Sequence, residues 1–184
     1  VFVPSYRHLE NIFKSVHIPG VKKMIELRSW TKQDIGSLMI DLKDAPRMGR
    51  KILLAGVFNG KLSEGIDYAD GILDAVACVG IPNAPPSVFQ KSFGNYIKDK
   101  FGSTNHWRYA NSQPAINSIL QAMGRPIRAI GDRALIVLLD RRHTERTYSM
   151  CYPPGTKMNQ TSNAESTGRF AKRFFSKVHR ETEI

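Results

Sequence analysis

Ile52-Leu53-Leu54-Ala55-Gly56-Val57-Phe58 is an almost wholly apolar run, and Asn59-Gly60-Lys61-Leu62-Ser63-Glu64-Gly65-Ile66-Asp67 follows it directly. A short stretch that is apolar at consecutive positions reads as a strand buried on both faces, which is the condition of a parallel sheet covered by helices. In such sheets ligands gather at the carboxyl ends of the strands. The glycines, the hydroxyl and the carboxylates behind Phe58 therefore stand where chemistry is expected. A tight turn with solvated acids is the competing reading of the same residues.

Working outward, strand and helix patterns alternate. Val1 to Val3 is a brief strand closed by Pro4, and Leu9, Ile12, Phe13 and Val16 recur at helical spacing. Pro19-Gly20 breaks that helix before a second short strand at Met24 to Leu27. Thr31 is an N-cap for a helix carrying Ile35, Leu38, Met39 and Leu42. Ile72 to Ile81 contains another buried strand, ended by Pro82 and by Pro85-Pro86. Helices follow at about Ser87 to Lys100 and Gln113 to Ile127, then a strand at Ala134 to Asp140. The prediction is one α/β domain over residues 1–184, an open and mainly parallel sheet with helices on both faces. A polar connector runs from about residue 153 to 166. A basic helix at about 167–180 then carries Arg169, Lys172, Arg173, Lys177 and Arg180 around Phe170, Phe174, Phe175 and Val178, and is expected to pack back on the domain.

Composition bounds the partners. In 184 residues, 27 Lys and Arg stand against 16 Asp and Glu, a formal charge of +11, which favours a polyanionic partner. No apolar run approaches the roughly 20 residues that a membrane-spanning helix needs, so no membrane role is expected. The two cysteines, Cys78 and Cys151, are too few for a disulfide framework or a cysteine-only metal site, and an intracellular, reducing location fits them best: the cytoplasm of a prokaryote or the nucleus of a eukaryote. No metal ligands are assigned. Gly56 to Ser63 approaches a phosphate-binding P-loop but fails it, because the glycines stand one residue too close and Leu62 occupies the place of the magnesium-binding hydroxyl. Nucleotide hydrolysis by this chain alone is accordingly not expected.

A second constellation lies at Gln121-Ala122-Met123-Gly124-Arg125-Pro126-Ile127-Arg128, where Gln121, Arg125 and Arg128 are spaced by four and three and can share a helix face. Val1 to Tyr6, Gly60 to Asp67 and Gln121 to Arg128 resemble, in order and separation, helicase motifs IV, V (Ser-Glu-Gly-Ile-Asp) and VI (Gln-x-x-Gly-Arg-x-Ile-Arg). With Leu138-Leu139-Asp140-Arg141-Arg142, the chain is similar over nearly its whole length to the second RecA-like motor domain of XPD-type superfamily-two DNA helicases, a group that includes DinG-like enzymes. Pro126 departs from the motif and can end or kink the helix, shifting Arg128 relative to Arg125.

The resemblance implies an ATP site shared with a first RecA-like lobe, which supplies the Walker motifs and most of the ATP and Mg2+ contacts. Arg125 and Arg128 match the arginines that stabilise the transferring phosphoryl group, and Gln121 matches the residue that holds their network in register. Gly65 and Asp67 match the nucleotide side of motif V. Glu64 could anchor the loop, meet an arginine or take part in coupling. The implied track is single-stranded DNA, moved along 5′→3′, with a link to DNA repair and its protein complexes. Ser5, Tyr6, Arg7, Lys61, Ser63, Arg141 and Arg142 are the expected DNA contacts. In His106-Trp107-Arg108-Tyr109, Trp107 is either a base-stacking platform or a partly buried loop anchor. Asp140 is expected to orient a neighbouring arginine. The family's iron–sulfur cluster is implied for the parent protein but not for this chain. Three rivals stand beside this reading: a noncatalytic nucleic-acid-binding module, an RNA rather than DNA motor, and a self-sufficient hydrolase using Glu64 and Asp67.

Overall fold

The computed structural model describes residues 1–182 other than Gly65, Asp67, Ala69, Asp70 and Arg128, with side chains up to residue 177. Five strands, β1 (Phe2–Val3), β2 (Val21–Ile25), β3 (Lys51–Val57), β4 (Ala75–Val79) and β5 (Leu135–Leu139), form one sheet in the order β2-β3-β1-β4-β5. Every pairing is parallel, with Phe2 opposite Gly56 and Cys78, and Val3 opposite Val57. The short β1 is thus central, and its carboxyl end opens beside that of β3.

Strand periodicity divides the apolar side chains between two layers. Val3, Ala55 and Val57 pack with Leu9 and Phe13 of α1 (Tyr6–Phe13) on one face. Phe2, Val76 and Cys78 pack on the other with Leu38 and Leu42 of α2 (Lys32–Asp44) and with Ala115, Ile116, Ile119 and Ala122 of α4 (Gln113–Met123). Ile116 and Ile119 are wholly buried, each contributing about 1.5–3 kcal/mol. Local signals agree with these ends. Thr31 and Asp34 form a reciprocal capping box on α2, and Ser87 caps α3 (Val88–Phe101) through the Gln90 amide, each worth about 1 kcal/mol.

Three expectations are corrected. α4 stops at Met123, not near Ile127: Gly124 caps it, and Pro126 disfavours the helical region for the residue before it, so Arg125 lies in a following turn and does not share the helix face of Gln121. The segment ahead of α4 is not a loop. Residues 106–107 are helical and pass into a π-turn at Arg108–Ser112, where the Gln113 amide donates to the Arg108 carbonyl just before Pro114, which has no amide to offer. Finally, α6 (Ala164–Thr182) begins three residues early, and Phe170, Phe174 and Phe175 belong to neither apolar layer. Between β5 and α6, Asp140 opens a 3-10 turn at Arg141–Thr144 and α5 (Arg146–Ser149) follows. Tyr148, Cys151 and Tyr152 close the core there, with Met158 of the connector packed on it.

Candidate nucleotide and nucleic-acid interface

The loop after β3 is held at three points. Lys61 donates its backbone N–H to Glu26 Oε1 at 2.9 Å, Tyr68 donates its hydroxyl to the Leu62 carbonyl at 2.9 Å, and Arg125 donates from Nη1 to the Ile66 carbonyl at 3.3 Å. Ser63 was expected to face phosphate. Its hydroxyl instead donates to the Gly60 carbonyl inside the turn, and the residue is 2% exposed. Glu64 is exposed, and among the described residues it makes no ion pair with Arg125. The loop's expected nucleotide-side residues Gly65 and Asp67, and Arg128 after α4, lie outside the described residues.

Glu26, which follows β2, escaped the sequence reading. It is 1% exposed, and three donors converge on its carboxyl group: the Tyr6 hydroxyl at 2.6 Å and the Lys61 amide at 2.9 Å on Oε1, and the Val57 amide at 3.3 Å on Oε2. A carboxylate has lone-pair sites for all three. Gly56 and Gly60 leave it room: a Cβ on Gly56 would lie 2.5 Å from Oε2, and one on Gly60 would lie 2.6 Å from both Oε1 and Val57 Cγ2. Burial, then the bond to Glu26, pushes the Tyr6 phenol up to about 12. An acidic residue beyond a weak, half-exposed strand carries no motif of its own. Its only sequence signal is the pair of glycines that leaves it room.

Around this centre lies a cationic rim. Arg28 is exposed and stacks its guanidinium 4.4 Å from the centre of the Tyr6 ring, a cation–π contact the sequence did not flag. Lys61 Nζ donates to the Arg28 carbonyl, and Arg7 is exposed on the first turn of α1. Ser5 caps that helix, accepting from the His8 amide at 3.3 Å, so its hydroxyl has local work besides any contact with phosphate.

Across the sheet, the end of β5 offers a second basic patch. Asp140 accepts from Arg142 Nε at 3.0 Å and Nη2 at 2.6 Å, and that bonding holds its carboxyl below the usual range. Arg142 is thereby oriented, while Arg141 remains almost fully exposed. Ahead of α4, Trp107 is 51% exposed and Tyr109 42% exposed, with Arg108 braced on the Met150 carbonyl at 3.2 Å. Gln121 is exposed at the end of α4.

No group of three or more His, Cys, Asp or Glu side chains is placed to hold a metal among the described residues. Cys78 and Cys151 are both buried, and burial pushes the Cys78 thiol up to about 12, as befits core filler. None of the described helices is long and apolar enough to cross a membrane.

Comparison with known proteins identifies the family. Residues 1–154 match the helicase C-terminal domain family. The chain is 30% identical over 145 residues to the ATP-dependent DNA helicase XPD of Sulfolobus acidocaldarius, covering 77% of this chain and 24% of that protein. It is 31% identical over 163 residues to the ATP-dependent DNA helicase CHL1 of Meyerozyma guilliermondii, covering 78% and 19%. A solved apo XPD chain superposes with a TM-score of 0.62 at 27% identity, over 82% of this chain and 30% of its own length. The chain thus spans about a quarter or less of the relatives it matches in sequence. With the parallel sheet and the order of its loops, these matches place the chain in the helicase C-terminal domain family, in its XPD-type branch.

Proposed function

We propose that this chain is the C-terminal motor lobe of an ATP-dependent helicase that moves 5′→3′ along single-stranded DNA in repair. The observation that carries the reading is the bond from Arg125 to the Ile66 carbonyl, which joins the turn after α4 to the loop after β3. In a two-lobe motor those two segments would face the nucleotide together. Direction and the repair role rest on the family resemblance, and contacts with repair proteins would belong to the parent.

In this reading ATP and Mg2+ are held mainly by the first RecA-like lobe of the parent. Arg125 and Arg128 reach the phosphates from this side, with Gln121 keeping them in register and with Gly65, Asp67 and Glu64 lining the loop. A guanidinium stays protonated and offers a planar fork to phosphate oxygens, and an arginine finger contributes about 10³–10⁵ in rate. The iron–sulfur cluster expected in the parent does not fit the described residues of this chain and enters no step here.

The DNA track would run over both basic patches. Arg7, Arg28, Lys61 and Arg141 are the cations open to phosphate, Arg142 acts from its Asp140 mooring, Tyr6 seats Arg28, and Trp107 stacks a base. Ser5 and Ser63 serve the track through their backbone turns. Mutation of Arg128 to Ala in the intact parent tests the site: DNA-stimulated ATP turnover should fall by about 10³. Unchanged turnover would refute the arginine assignment.

A further inference from the structure

Resting on that reading, we propose that Glu26 is a positioning residue that makes the DNA-contacting end of β1 and the loop after β3 move as one body. One carboxyl oxygen, Oε1, takes both the Tyr6 hydroxyl at 2.6 Å and the Lys61 amide at 2.9 Å, so neither donor can shift without loosening the other. The circuit closes through side chains on the far side. Lys61 Nζ donates to the Arg28 carbonyl, and the Arg28 guanidinium sits 4.4 Å from the Tyr6 ring centre. Four residues from three segments of the chain thus form a ring about one buried oxygen.

Several features mark this ring as more than core packing. The Glu26 side chain is buried but lies among polar donors, and it belongs to neither apolar layer. Gly56 packs against it so closely that an added Cβ would lie 2.5 Å from Oε2, and at Gly60 a Cβ would lie 2.6 Å from Oε1 as well as from Val57 Cγ2. A buried acid held only as an acceptor adds less to stability than an apolar residue of similar size. The same loop is bound at Ile66 by Arg125, so it links the arginine proposed for the nucleotide to Glu26 and, through Glu26, to Tyr6 and Arg28. A displacement of the loop on nucleotide turnover would reach the DNA cations through the Oε1 pair.

The test uses the parent helicase carrying Glu26→Leu, Tyr6→Phe or both, with oligodeoxythymidylate as the track. The leucine removes the shared acceptor altogether, and the phenylalanine keeps the ring under Arg28 while removing the hydroxyl. Each single change should raise the DNA concentration giving half-maximal ATPase stimulation by about tenfold, and the double change should raise it no further. Multiplying effects, or a lowered unfolding midpoint with the half-stimulating concentration unchanged, would overturn the proposal. Hydrogen exchange at the Lys61 amide supplies an arm that does not depend on the helicase reading. Tyr6→Phe should speed it in the parent without nucleotide or DNA, and unchanged exchange would break the linkage. A wild-type parent without DNA-stimulated turnover would defeat the helicase reading, while the exchange arm would still decide the role of Glu26.

Discussion

At the carboxyl ends of β1, β2 and β3 the polar groups are turned on one another, whereas past β5 and ahead of α4 they are turned outward. Glu26 collects Tyr6, Val57 and Lys61 in the interior, while Trp107, Tyr109 and Arg141 stay open to solvent. The first arrangement suits a part that must hold shape while transmitting force. The second suits one that meets a ligand of variable sequence, where stacking and phosphate contacts give affinity without base readout. Under the proposed function both regions meet the track but only the first is wired internally, so mutations in the two regions should fail in different ways.

The largest expected effect belongs to the proposed arginine assignment, under which loss of Arg128 should cost about 10³ in turnover. Next, Glu26→Ala should destabilise the chain by about 3 kcal/mol in urea titration, because it leaves buried donors unpaired. Gly56→Ala should follow in the same direction by about 2 kcal/mol, since its Cβ would meet the Glu26 carboxyl at 2.5 Å. In the open region the pattern should invert. Trp107→Ala should weaken binding to single-stranded DNA by about tenfold in fluorescence anisotropy, with stability altered by less than about 0.5 kcal/mol. Equal stability losses in both regions would erase the contrast.

The smallest effect is pH dependence behind the open region. His143 is 2% exposed, its Nδ1 lies 2.8 Å from the Tyr152 hydroxyl, and burial lowers its pKa from 6.5. The unfolded chain then binds a proton that the folded chain refuses. Stability should decline as pH falls below about 6.5, toward the lowered folded value, and His143→Phe should flatten that slope in denaturant titrations. Asp140, depressed chiefly by its bond to Arg142, acts in a separate window: its contribution is lost only as pH falls below 3.8 through the lowered folded value.

Much of this was legible in the chain. The consecutive apolar positions from Ile52 to Phe58 announce a doubly covered strand, the Thr31 cap marks α2, and the order of the loops follows from alternation. At Gly60 to Asp67 and Gln121 to Arg128, residue type and spacing carry a motif from which a site can be proposed. The site was illegible where function depends on a meeting of distant segments. Glu26 is 20 residues from Tyr6 and 35 from Lys61, and nothing in its neighbours Ile25 and Leu27 sets it apart from a solvated acid. The π-turn before α4 was hidden for a different reason: the missing amide of Pro114 reads as a helix start, although the chain is already helical from residue 106.

The central claim is that this lobe completes an ATP site it cannot form alone. Its most direct test is ATP turnover by the purified, folded chain with saturating single-stranded DNA, measured before and after addition of the first lobe of the same parent. The account predicts no turnover by the chain alone and DNA-stimulated turnover once the two lobes are combined. Robust turnover by the chain alone would contradict it and would place a complete nucleotide site within these 184 residues.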